Sequence, residues 1–296
     1  MSKIFKVLVI YYSQTGKSKS ILDCFIKPLR DQPHVVIDEV SIEPVNPYPF
    51  PWPKIYFFSI FPECVYETTV EIKEPMFNVD DDYDLIILGS QVWFLSISIP
   101  LVSFLNHAKS RILKNKPVIT VLSCRKMWIY TQKRLEEYVA QLGGKLVGKV
   151  LVTAKGEQMQ TLSATRDNLF DDNDKLNKKE WLASEKVLQQ TEQQGKELLE
   201  AINSGVVLNG CIFNTDSEAF SNTDFSHPEK VARKSFLAWG KWMRKLSPPK
   251  SLLRYSFTVI FLFTFFFKVF VGLPLWPFIQ RFKKKLKPSL AESQLK

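Results

Sequence analysis

The sequence predicts an α/β fold, a doubly wound sheet of five parallel strands that carries an aromatic, proline-rich insert and ends in a basic, hydrophobic tail. Three observations lead there. Short continuous apolar runs, at residues 7–11 and 85–89, suit strands buried on both faces. Segments with helical spacing separate such runs, as crossovers between parallel strands require. Polar and aromatic clusters follow three of the strands directly, at 12–18, 90–96 and 123–128, the ends at which open α/β sheets take ligands.

The first strand stops at Ser13-Gln14-Thr15-Gly16-Lys17-Ser18, and a helical pattern runs on from 17 to about 29. Strand, tight turn and helix aim backbone N–H groups and a helix N-terminus at one point, which suits an anion. Ser13, Thr15 and Ser18 add hydroxyls, and Gly16 lets a ligand approach the backbone. A Walker A loop would need glycine at Tyr11, and a G-x-G-x-x-G fingerprint needs more than the single Gly16. The pattern left, [ST]-x-T-G-x-[ST] after a first strand, resembles the phosphate loop of flavodoxins and flavodoxin-like quinone reductases, which hold the terminal phosphate of FMN. An ordinary polar strand-to-helix turn is the plainer reading of the same residues.

The second strand is expected over 34–42. Residues 43–79 then interrupt the pattern, and within 43–64 stand six prolines and seven Phe, Tyr or Trp residues. That density excludes a central strand or long helix, while the aromatics argue against a solvated linker. The insert reads as a packed surface loop or as an apolar lid over a substrate channel, with Tyr48, Phe50, Trp52, Tyr56, Phe57 and Phe58 as contact residues. Further strands are expected at 85–89, 116–122 and 146–153, and helices at 101–113, 129–142 and 181–202. The flavodoxin resemblance spans residues 5–203. It implies a flavodoxin-like sheet, FMN as cofactor, and flavin contacts from Ser90, Gln91, Val92, Trp93 and Phe94 on the second loop and Ser123, Cys124 and Arg125 on the third. Many relatives carry proline where this chain has Gln91. Trp93 and Phe94 also fit a packing role, and Cys124 fits a small core residue better than a nucleophile.

Composition narrows the class. The formal charge is +10, yet residues 1–204 hold 25 basic and 25 acidic side chains, so the excess belongs to residues 205–296. A neutral body with a basic, aromatic tail points to an anionic membrane surface and away from nucleic acid. Four scattered cysteines without a C-x-x-C pair argue against structural zinc and fit a reducing compartment, so no metal is expected. No signal-peptide pattern is read at the start. The expected organisation is a flavodoxin-like domain over 1–204, a linker over 205–228 and a membrane-associating tail over 229–296. Within the tail, 228–245 has amphipathic spacing and 255–267 is uncharged, short of the roughly twenty residues that a span needs; bridged over Lys268, 255–279 is long enough to span with one charge in its middle. Lys250 and Arg254 before it, and five basic residues between 281 and 287, favour a monotopic or peripheral anchor on the cytoplasmic side of the inner membrane.

Taken whole, the opening VLVIYYSQTG, the NPYPFPWPKIYFFSIFPE insert and the hydrophobic tail resemble the flavodoxin-like proteins of bacterial dialkylresorcinol and flexirubin pigment clusters, labelled dialkylresorcinol condensing enzymes. The resemblance implies an FMN-dependent oxidoreductase, an aromatase that converts a lipophilic dialkyl-cyclohexanedione to a dialkylresorcinol after a ketosynthase has joined the chains. That ketosynthase or its acyl carrier protein is then an expected partner. Dehydrogenation would remove an acidic α-proton and a hydride; Tyr12, Cys124 and Tyr130 are candidate bases by position alone. A membrane-associated NAD(P)H-dependent quinone reductase, an electron carrier and a non-catalytic tethered scaffold stay open as alternatives.

Overall fold

A computed structural model describes residues 4–153, 169–170, 185–208 and 226–267. Its strands are β1 (Phe5–Tyr11), β2 (Val35–Ser41), β3 (Leu85–Trp93), β4 (Ser96–Ile97), β5 (Pro117–Cys124) and β6 (Lys145–Thr153). The order across the sheet is β2-β1-β3-β5-β6, all parallel, with β4 antiparallel on the end of β3. Counting the parallel strands alone, this is the 2-1-3-4-5 order, whose switch point lies between the first and third strands. The fold is flavodoxin-like.

Each apolar run splits between two cores because successive side chains point to opposite faces. Val7, Val9, Leu85 and Ile87 face α1 (Lys17–Arg30). Leu8, Ile10, Ile86 and Leu88 face the insert and α4 (Ile99–Leu105). α5 (Ile129–Gln141) shares that second layer through Leu135, Tyr138 and Val139. On the first layer α6 (Glu185–Asn203) lies against α1, and they meet closely at Gly195, where an added Cβ would sit 2.0 Å from the Phe25 carbonyl oxygen.

The insert uses its prolines at helix starts. Pro53 precedes α2 (Lys54–Ser59) and Pro62 occupies the first turn of α3 (Phe61–Val65), positions where a missing N–H costs nothing. An antiparallel bridge, Pro44 with Ile72, closes its base. The helix expected over 101–113 is two pieces: α4 ends at Leu105 and a 3₁₀ turn covers Ala108–Leu113. The break has a cause in His107, whose Nδ1 accepts the Lys109 N–H at 3.2 Å and so caps the second piece.

The tail is built onto the insert. α7 (Ser226–Leu246) and α8 (Leu252–Phe267) form a third core with it: Phe61, Val65 and Leu95 meet Phe236, Met243 and Phe261. Phe61 and Phe261 stack with centroids 4.3 Å apart. Arg254, expected as a basic residue flanking a membrane segment, is instead buried. Its guanidinium pairs with Glu63 at 3.1 Å and donates to the Ser247 carbonyl at 2.8 Å, because an apolar helix packed on α2 and α3 leaves that position no route to water. Within the expected linker, Val206–Leu208 forms a 3₁₀ turn and α7 begins at Ser226. No helix of the described residues is long and apolar enough to cross a membrane. The apolar stretch 268–279 and the basic cluster beyond it lie outside the described residues.

Candidate functional site

Three loops meet at the carboxyl ends of β1, β3 and β5. Register brings Tyr11 beside Gly89 and Gln91 beside Ser123. Side chains then join the loops: Ser18 Oγ and Ser123 Oγ are 2.8 Å apart, and Ser123 Oγ donates to the Ser90 carbonyl at 3.3 Å. Ser18, one of three hydroxyls expected toward a phosphate, is therefore buried as a joint between loops. Ser13 Oγ accepts the Lys19 N–H at 3.2 Å and closes the first turn of α1. Gly16 has φ +78°, and nothing lies within 4 Å of where a Cβ would stand, so the turn is open toward its outer side. Thr15 and Lys17 are half-buried around it. Burial pushes the Lys17 ammonium down to about 8, because losing water disfavours its charge.

The insert closes over this end of the sheet. Gln14 Nε2 donates to the Tyr48 and Pro49 carbonyls, each at 3.3 Å, and the Tyr12 hydroxyl donates to Gln14 Oε1. Trp93 is buried with Tyr12, Tyr48 and Trp52 around it, at centroid distances of 5.7, 5.3 and 5.7 Å. Tyr56 and Phe57 extend the cluster from Trp52. Phe57 and Phe58 pack on Phe94, with Phe170 across from them. Of the six expected insert contacts, Phe50 alone is largely exposed.

The second loop turns through a two-residue hairpin from Trp93 to Ser96, with Phe94 and Leu95 both at positive φ (+49° and +62°). Primed hairpin turns need that geometry and usually take Asn-Gly; bulky residues hold it at a cost of roughly 1–3 kcal/mol each. The surroundings enforce it. Arg233 Nη1 donates to the Leu95 carbonyl at 3.3 Å and to Ser96 Oγ at 3.2 Å.

Sequence reasoning missed the part α7 plays. Glu229 accepts the backbone N–H groups of Ile129 and Tyr130 at 3.3 and 2.7 Å, so a carboxylate from α7 caps α5 directly after the third loop. Arg233 lies 3.1 Å above the Tyr130 ring while holding the second loop. The available signal was Glu229 itself, the one acid at the start of a basic helix. Burial raises its carboxyl above the usual range despite the two N–H donors. Burial also pushes the Cys124 thiol and the Tyr12 hydroxyl well above their usual values, leaving both protonated at neutral pH. Arg125 is half-buried, and burial lowers its affinity for a proton.

Whether a polar cofactor fits can be judged from the loops themselves. β3 runs on through Trp93, so the expected loop residues Ser90 and Gln91 lie at the end of a strand. Ser90 Oγ, Gln91 Nε2 and Trp52 Nε1 of the insert are buried without a hydrogen-bond partner, as are the hydroxyls of Thr68, Ser98 and Thr131. Unpaired buried groups are costly, and Ser90 and Gln91 directly follow Gly89, which pairs with Tyr11 at the end of β1. The donor set suits a ligand with a phosphate at one end and a polar ring edge at the other.

Comparison with solved structures returns flavodoxin-like proteins. A flavoprotein in complex with FMN from Lactobacillus acidophilus is 16% identical, covers 50% of this chain and 93% of its own, and has a TM-score of 0.41. A flavodoxin from the domain Archaea is 13% identical over 67% of this chain and 99% of its own, with a TM-score of 0.40. A WrbA-like flavodoxin from Agrobacterium tumefaciens is 12% identical over 66% and 98%, with a TM-score of 0.36. No protein-family model matches the chain, and no curated protein does.

Proposed function

We propose that this chain is an FMN-dependent oxidoreductase acting on a lipophilic substrate beneath its aromatic insert. The reading is carried by the buried, unpaired Ser90 Oγ, Gln91 Nε2 and Trp52 Nε1 at the end of β3 and on the insert, together with the glycine turn after β1 that has open space around it. The Gly16 turn, the Thr15 hydroxyl and the Lys17 ammonium would hold the phosphate, and Ser90, Gln91 and Arg125 the ring's polar edge. FMN, when bound, supplies a two-electron, hydride-accepting centre. Trp52, Trp93 and Phe94 exclude water from that end of the sheet, and Tyr48, Phe57 and Phe58 offer apolar surface to alkyl chains.

The finer reading, from resemblance, is aromatisation of a dialkyl-cyclohexanedione. The diketone's α-proton is already acidic, so the protein has mainly to orient the ring and hold the enolate. Tyr12, whose O–H is already donated to Gln14 Oε1, and Cys124 are both protonated and unsuited to act as the base. Tyr130, beneath the Arg233 guanidinium, is the remaining candidate for moving the proton.

Purified full chain should show a flavin absorbance spectrum, with FMN released by heat at about one per chain. Anaerobic addition of a dialkyl-cyclohexanedione should then bleach that spectrum. Bleaching by NAD(P)H and a membrane quinone cycle, with none by the diketone, would replace aromatase with quinone reductase. A colourless chain that takes up no added FMN would end the oxidoreductase reading.

A further inference from the structure

We infer that the outer face of α8, together with the basic end of α7, docks on an anionic lipid bilayer, the helix lying along the surface. One side of α8 is fully engaged: Arg254, Thr258 and Phe261 are buried against the insert and α7. The other side presents Leu252, Leu253, Val259, Ile260, Phe263 and Phe267, with Leu252 85% and Phe263 73% exposed. Spaced by three, four and seven residues, with Ser256 exposed among them, they make a single stripe along the helix. Contiguous apolar surface of this kind marks an interaction face.

The charges choose the occupant. Lys241, Lys245 and Lys250 are exposed where α7 ends and α8 begins, and Trp242 among them is 65% exposed, an arrangement that suits the interface between water and lipid. A second copy would bring the same lysines toward one another across a two-fold axis. Over its described residues the helix lies on the membrane and does not span it. These 16 residues reach about 24 Å against a hydrocarbon core of about 30 Å. The Arg254–Glu63 pair, clamped between α8 and α3, would also have to be torn apart for α8 to leave the body. Docking therefore places α8 between the lipid and the aromatic insert, since α2 and α3 are the elements that its inner side packs upon.

This binding stands apart from the flavin reading, and either can fail alone. Full chain is sedimented with phosphatidylcholine vesicles, with and without about 30% phosphatidylserine. The parent should pellet with the anionic vesicles and be released by high salt. A Val259→Ser, Ile260→Ser, Phe263→Ser triple variant, all at exposed positions, should keep its near-UV circular dichroism and partition at least tenfold less, a lower bound set by the loss of a single buried apolar side chain. Lys241→Glu and Lys245→Glu should each weaken binding about fivefold or more. A parent that ignores anionic vesicles would overturn the inference. So would a triple variant that binds like the parent, which would move the contact to residues 268–296. A stable dimer that the triple variant splits, without vesicle binding, would assign the face to a second copy.

Discussion

Replacing Arg254 with methionine should detach the tail from the body. Arg254 is buried at 1% exposure, and its guanidinium donates to Glu63, to the Ser59 and Ser247 carbonyls and to Ser247 Oγ. Methionine keeps the stem's volume and removes every donor. Glu63, only 16% exposed, is left as a buried carboxylate facing carbonyl oxygens. Breaking one side of a buried ion pair costs about 3–5 kcal/mol, far above the ~1 kcal/mol of an exposed pair. Urea denaturation of the full chain should show a loss of that size, and hydrogen exchange should show α8 amides losing protection while β1 and β3 keep theirs. Glu63→Met combined with Arg254→Met should lose about 2 kcal/mol less than the two single changes summed, because no charge is stranded. An Arg254→Met chain within ~0.5 kcal/mol of the parent, with α8 still protected, would refute the clamp.

Lys17 gives a pH dependence with two opposite signs. Its folded value of about 8 lies below the ordinary 10.5, so without ligand the chain is less stable below pH 8 and gains stability as pH rises from 8 toward 10.5. A bound phosphate would restore the ammonium, so FMN affinity should fall as pH rises through about 8, and Lys17→Met should abolish that dependence; calorimetry from pH 7 to 10.5 reads both. Gly195→Ala should destabilise by roughly 1–3 kcal/mol and weaken FMN binding as well, since a Cβ 2.0 Å from the Phe25 carbonyl pushes α1 off α6; thermal melts with and without FMN check it. Cys24, half-buried, should react with a thiol reagent before Cys64 and Cys124, both buried with thiols raised by burial, as read by mass spectrometry of the native chain.

The strands were legible because parallel strands covered on both faces must be apolar at every position, and residues 7–11 and 85–89 meet that demand locally. Gly16 was legible for a similar reason: a turn at φ +78° admits little else. Gly195 was not, since a glycine inside a helix reads as a weak spot until Phe25 is known to lie against it. The Phe94–Leu95 turn carries none of the Asn or Gly that announces positive φ; its geometry is imposed by Arg233, far away in the chain. Arg254 followed the same logic. A lone charge beside an apolar run looks like a membrane flank, and only its partner Glu63, 191 residues earlier, reveals a buried pair.

Affinity for FMN against riboflavin, measured by quenching of flavin fluorescence on titration with full chain, bears most directly on the three-loop site. The Gly16 turn and Lys17 should favour FMN by tenfold or more, the worth of one charge-assisted phosphate contact, with one site per chain. Equal affinity for the two flavins would remove the phosphate cradle, and binding of neither would remove the flavin site altogether.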